Sequence, residues 1–149
     1  MSSAMDPQPR LTPAIPCGSV PGVTHSGPIP QKSLLIKLLV GADAPERCSQ
    51  GLTVAATACL AGAQVSLWLT GEATRLVLND ADEPFTLDGA PPPRELIATV
   101  QQFGQITACT QCLHRRGLTG EMLLPGVRIA GAASFVEELL IPGTTALNY

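Results

Sequence analysis

Aromatic residues are scarce in this chain: one Trp, one Tyr and three Phe among 149 residues. Stacking on unpaired bases draws on several exposed rings, so a single-stranded nucleic acid is a poor partner. A surplus of positive charge is missing too. Nine basic residues against twelve acidic ones leave a net charge of −3, and no basic run exists to follow a phosphate backbone. Long apolar runs are also absent, since none approaches the roughly 20 residues of a membrane-spanning helix. Neither nucleic acid nor membrane is expected as a partner. Hydrophobic residues nevertheless make up 45% of the chain and charged residues only 14%. That balance excludes a wholly disordered protein and suits one domain with an aliphatic core.

A disulfide framework is absent as well. The five cysteines are Cys17, Cys48, Cys59, Cys109 and Cys112, an odd number at spacings that pair poorly. The N-terminal segment shows no charged-then-apolar leader. Ala14 to Cys17 superficially matches a lipoprotein cleavage site, but no apolar helix precedes it and Pro16 stands directly before the cysteine. The expected location is cytoplasmic, where thiols stay reduced.

What is present divides the chain in two. Residues 1–31 hold Pro7, Pro9, Pro13, Pro16, Pro21, Pro28 and Pro30, which leave no room for a helix or a ladder. A disordered tail is expected there, and an α/β domain over residues 32–149. Leu34 to Val40 reads as a strand buried on both faces, with Lys37 as its one cation. Asp43 and Glu46 have capping-box spacing ahead of a helix that runs to about Ala61. Cys48, Leu52, Ala55, Ala56 and Cys59 fall on one stripe of that helix, which makes both cysteines core residues. Val65 to Thr70 is a second strand, with Val65, Leu67 and Leu69 on one face and Trp68 on the other. A short helix over 73–78 and a long loop from Asn79 to Pro93 follow. The pattern continues as helix 94–103, strand 106–108, strand 127–130, a helix over 135–141 behind a second capping box at Ser134 and Glu137, and a last strand over 144–149. This βα alternation predicts a parallel sheet of about five strands with helices on both faces. Ligands of such sheets bind at the carboxyl ends of the strands, here Gly41 to Arg47, Thr70 to Ala73, and Cys109.

The chemistry concentrates in Cys109-Thr110-Gln111-Cys112. A structural zinc takes four ligands, usually two such pairs, and this chain has one pair. His114 lies two residues beyond Cys112 and points away, His25 sits in the tail, and Leu113 stands where covalent haem attachment requires His. No metal and no cofactor are expected. Thiol chemistry suits the position better. A cysteine that ends a strand and opens a helix faces the N–H groups of the first turn, which favour a negative sulfur. Cys112 follows about a turn later, and Arg116 shares the face of Cys109. The bland alternative is a pair of small buried residues, with Arg115 and Arg116 merely capping a helix that Gly117 closes.

These residues taken together are familiar. A strand ending in Cys109, then Cys112, Arg115, Arg116 and Gly117, then the Phe-Val-Glu-Glu-Leu-Leu helix at 135–140, resembles the DsrE/DsrF-like family of small sulfur-carrier and sulfur-relay proteins. Asp-Ala-Pro-Glu-Arg at 43–47 and Val-Ser-Leu-Trp-Leu-Thr-Gly at 65–71 agree with it, and the resemblance spans about residues 32–149. It implies a flavodoxin-like parallel sheet and assembly into homo-oligomers, trimers or hexamers. It also implies a persulfide carried on Cys109, the cysteine six residues before the first of two arginines, and partners that donate and accept sulfur. Cys112 is then an accessory or resolving thiol, with Arg116 and Arg115 favouring anionic sulfur. Two other functions use the same residues. One is a CxxC thiol–disulfide redox protein. The other is a non-catalytic oligomeric binding module, for which the 79–93 loop would serve as an interface arm.

Overall fold

The computed structural model describes residues 32–149, so the proline-rich segment, with Cys17 and His25, lies outside the described residues. Five strands form one sheet: β1 (Ser33–Leu38), β2 (Gln64–Leu69), β3 (Gln105–Cys109), β4 (Arg128–Ala130) and β5 (Thr144–Asn148). Their spatial order is β4-β3-β2-β1-β5, and every pairing is parallel. Four helices connect them: α1 (Pro45–Leu60), α2 (Pro93–Phe103), α3 (Thr110–Arg115) and α4 (Ala132–Leu139). A 3-10 helix at Gly71–Val77 stands where a short helix over 73–78 is expected.

The topology follows from handedness. The chain steps outward from β1 through β2 and β3 to β4, then returns to pair β5 with the far side of β1. Right-handed crossovers put helices of outward and return steps on opposite faces. Accordingly α1 and α2 pack on one face, against Ile36, Leu38, Leu67, Leu69, Ile106 and Ala108. The alternating residues Lys37, Trp68 and Thr107 turn to the other face, where Phe135 and Glu138 of α4 meet them.

The core is aliphatic, as the shortage of rings requires. Ile36, Leu38, Leu52, Leu67 and Leu69 are fully buried, each stabilising the fold by about 1.5–3 kcal/mol through burial. The α1 stripe of Cys48, Leu52, Ala55, Ala56 and Cys59 is buried throughout. Gly51 lets α1 approach closely: a Cβ there would fall 2.9 Å from Leu38 Cδ1.

Both expected capping boxes are absent. The α1 N-cap is Ala44, without a side-chain cap. Asp43 Oδ1 instead accepts the Gly41 N–H at 2.7 Å, which closes the turn out of β1. The α4 helix begins at Ala132 behind Gly131. Its Ala132-Ala133 pair has the strongest intrinsic helix propensity, which draws the start two residues ahead of Ser134. The 79–93 loop is fastened to the domain. Arg94 Nη2 donates to Leu78 O at 3.2 Å and also to Ala81 O, while Glu83 Oε1 accepts the Arg94 N–H at 3.1 Å. Leu78 forms an antiparallel bridge with Leu123. Among the described residues no helix is long and apolar enough to cross a membrane.

Candidate functional site: a thiol cleft at the carboxyl ends of the strands

Cys109 is the last residue of β3 and the N-cap of α3. Strand alternation turns Ile106 and Ala108 into the core and Cys109 towards the α4 face, where it is half-buried. The α3 helix is only six residues long and is anchored by the buried Leu113. One turn into it, Cys112 reaches the end of β2, and its sulfur accepts the Gly71 N–H at 3.2 Å. Gly71 has φ +53, and a Cβ there would fall 2.5 Å from Leu39 O. The close approach of the two chain segments therefore needs glycine.

A cleft of about 300 Å³ opens over the two thiols. Lys37 and Leu39 reach it from the end of β1, Trp68, Thr70 and Gly71 from the end of β2, and Gly131, Ala132 and Phe135 from the start of α4. Arg115 and Gln111 close the α3 side. This is the strand end at which parallel sheets hold ligands. Of the three carboxyl ends expected there, 70–73 and Cys109 contribute, whereas the 41–47 turn is not among the lining residues.

The two arginines separate. Arg115 lines the cleft and is exposed. Arg116 does not line it. Its Nε lies 3.2 Å from Glu72 Oε2, and its Nη1 donates to Cys112 O at 3.3 Å. Glu72 also pairs with Arg75 at 2.7 Å. Arg116 thus spends its charge on fastening α3 to the 3-10 helix. Lys37, expected with its ammonium in water or against a carboxylate, has no carboxylate partner among the described residues. Its Nζ lies 5.0 Å from the Phe135 ring centre, an attraction of about 0.5–2 kcal/mol for a cation over a ring face.

Burial pushes the Cys109 thiol above its ordinary value. The side-chain hydrogen bond with Cys112 adds to this, while the backbone N–H groups of Cys112 and Gln111 pull the other way without prevailing. The helix start was expected to lower this thiol. Six residues align few peptide dipoles, and desolvation outweighs them. Cys48 is pushed up to about 12, chiefly by burial and then by Asp43. Burial also raises Cys59, so neither α1 cysteine is poised to react.

Behind the cleft lies a polar network that sequence reasoning missed. Glu138 accepts from Ser66 Oγ at 2.6 Å, from Trp68 Nε1 at 2.9 Å and from Arg128 Nη2. Arg128 donates to Thr107 Oγ1 at 3.0 Å and lies over the Trp68 ring at 5.4 Å. Trp68 meets Phe135 edge-on at 5.3 Å. Lys37, Phe135, Trp68 and Arg128 thus form a series of cation, ring, ring and cation that runs from the cleft to the exposed Arg128 on the edge strand β4. These residues come from four separate elements, so no local spacing announces them. Lys37 did carry a signal, as the lone charge in an apolar strand. Among the described residues no group of three or more His, Cys, Asp or Glu is arranged to hold a metal ion.

A five-stranded parallel α/β sheet with a cysteine pair at its carboxyl edge defines the class. Residues 32–147 match the DsrE/DsrF-like family, and the chain belongs to it. That family is associated with sulfur relay, and its members are often oligomeric. The ychN protein from E. coli has a similar structure, with a TM-score of 0.66 at 16% identity over 80% of this chain and 99% of that one. A protein of unknown function from Methanobacterium thermoautotrophicum, MTH1491, is similar at a TM-score of 0.56 and 12% identity, over 78% of this chain and 97% of that one. No match was found among curated proteins.

Proposed function

We propose that this protein is a cytoplasmic, sulfurtransferase-type sulfur carrier that holds sulfur as a persulfide on Cys109. The observation that supports it most is the position of Cys109 and Cys112 together on one cleft at the carboxyl ends of the strands. Cys109 opens onto the cleft and gives its proton to solvent there, while the Gly71 N–H supports the Cys112 sulfur. As that proton leaves, the Cys109 thiolate attacks a donor's terminal sulfur. A new S–S bond forms, the donor's S–S bond breaks, and its electron pair departs with the donor. Cys112 is the accessory thiol. Were its thiolate to attack the Cys109 inner sulfur, hydrosulfide would leave and a Cys109–Cys112 disulfide would remain, and the protein would be a reductant of bound sulfur rather than a carrier. Arg115 favours anionic sulfur across the cleft, and Arg116 positions α3.

Incubation with a persulfide donor followed by peptide mass spectrometry tests the assignment. Wild type should gain the mass of one sulfur atom on the Cys109 peptide. A Cys109→Ser variant that loads as well as wild type overturns it.

A second reading rests on the two thiols sharing one cleft: a dithiol–disulfide switch with no sulfur cargo. A two-electron midpoint near the cytosolic poise, without sulfur loading, would favour it.

The carrier is a homo-oligomer that passes its sulfur to an acceptor protein. Support comes from α4 and the turn after it, where Val136, Leu139, Leu140 and Ile141 are exposed at 46, 39, 73 and 54%. An apolar patch of that kind marks a contact surface. Sedimentation of wild type as a monomer at micromolar concentration would remove this part of the reading.

A further inference from the structure

Among the described residues, two cations on the cleft have no carboxylate partner. The salt bridges of Arg75, Arg116 and Arg128 are all satisfied by Glu72 or Glu138. Lys37 and Arg115 enter none of them, yet both line the cleft that holds the cysteine pair. They come from different elements, Lys37 from β1 and Arg115 from α3. No acidic residue lines the cleft to offset them. Lys37 is half-buried, with its Nζ 5.0 Å from the Phe135 ring centre. The rest of the wall is mostly apolar, from Leu39, Trp68, Ala132 and Phe135. A low-dielectric wall strengthens the field of the cations over the sulfurs.

We propose that Lys37 and Arg115 form an anion subsite beside the two thiols, so that the donor is a small anion bearing a sulfane sulfur rather than a neutral molecule or a protein cysteine alone. The volume, about 300 Å³, is at the small end of ligand pockets. It suits a donor of a few heavy atoms or the reactive end of a small peptide-like thiol. Lys37 and Arg115 act at both stages of transfer. They hold the incoming anion with its sulfane sulfur over the Cys109 thiol. When the donor's S–S bond breaks, the electron pair leaves on its anionic fragment, and the same cations stabilise that fragment. The transferred sulfur becomes the outer atom of the Cys109 persulfide, and no outside oxidant or reductant is consumed. Inorganic thiosulfate and a carboxylate-bearing organic persulfide share this chemistry.

This subsite rests on the sulfur-carrier reading only for its cargo, and a charge-discrimination experiment separates the two. Full-length protein is alkylated with iodoacetate or iodoacetamide, which differ in charge, and each cysteine is followed by peptide mass spectrometry. In wild type the iodoacetate-to-iodoacetamide rate ratio at Cys109 and Cys112 should exceed that of a free thiol. It should fall on the order of tenfold in Lys37→Met/Arg115→Gln, which removes both charges from the cleft. The ratio should also fall in wild type itself as salt rises from about 0.05 M to about 0.5 M, a measurement that needs no variant to fold. A ratio equal to that of a free thiol, insensitive to both salt and substitution, overturns the subsite. Sulfur loading is then compared between thiosulfate and glutathione persulfide. Faster loading by either one in wild type than in the double variant supports the subsite and identifies the source. A charge-dependent ratio with no loading from either donor leaves the anion subsite standing and removes the sulfur-carrier reading.

Discussion

The backbone N–H of Gly71 points at the Cys112 sulfur from 3.2 Å. It ties the exit of β2 to the first turn of α3 and supports negative charge on that sulfur. Gly71→Ala would place a Cβ 2.5 Å from Leu39 O at a positive φ, which is both a clash and a strained backbone. A loss of about 1–3 kcal/mol in urea unfolding is expected, together with a changed alkylation rate at Cys112. Gly117→Ala is the control. It has φ +63 but nothing within 4 Å, so it should cost stability through backbone strain alone and leave the Cys112 rate unchanged. Equal Cys112 rates in wild type and both variants would show that the Gly71 contact has no part in thiol reactivity.

The central strands β1 and β2 were legible as short apolar runs bounded by turn residues, and the buried stripe of α1 because its period is helical. The site was legible in part. Cys109 and Cys112 stood out through their spacing, and the strand end placed them. The capping boxes were misleading because Asp43 had a nearer donor in Gly41, and because two alanines ahead of Ser134 extended α4. The division between Arg115 and Arg116 was hidden: adjacent residues on a short helix point about 100° apart, and only the partner at Glu72 decides which one is neutralised. Gly71 was placed at a strand end, but its contact with Cys112 was not visible, nor were Phe135 and Glu138 as site residues, since their partners lie tens of positions away in sequence.

Arg116 and Arg115 should separate by experiment. Arg116→Gln removes the bond to Glu72, a half-exposed pair worth about 1 kcal/mol at most. It should lower stability slightly and leave the charge preference of cysteine alkylation intact. Arg115→Gln should do the reverse, with unchanged stability and a reduced preference for iodoacetate. If Arg116→Gln reduces that preference more than Arg115→Gln, the assignment of roles is inverted.

Glu138 gives the fold an acid sensitivity. Burial raises its carboxyl, but hydrogen bonds from Ser66, Trp68 and Arg128, with the Arg128 charge, outweigh that and hold it below the usual carboxylate range. A depressed folded value favours the folded state above the unfolded value of about 4.3. That contribution is lost as pH falls through the lower folded value. Glu138→Gln presents an NH₂ donor to groups that already donate, and should cost about 1–3 kcal/mol at neutral pH. The gap between wild type and variant should shrink in acid. A gap that stays constant down to about pH 3 would mean that the carboxyl is not depressed.

Cys48 sets the opposite limit. Its thiol is pushed up to about 12, while an unfolded cysteine ionises near about 8.5. Below the unfolded value both states are protonated and pH has no effect. Above it the unfolded chain loses its proton and the folded chain keeps it, so the folded state loses stability as pH rises between the two values. Cys48→Ala leaves a small cavity and should cost about 1 kcal/mol at neutral pH. It also removes the alkaline penalty. Urea midpoints of wild type and variant, followed from about pH 7 to about pH 10, should therefore converge as pH rises and cross near about pH 9. Cys59 and Cys109 are raised as well, but both are present in the two proteins and cancel in the difference. Parallel curves over that range would show that Cys48 ionises in the folded state no later than in the unfolded one.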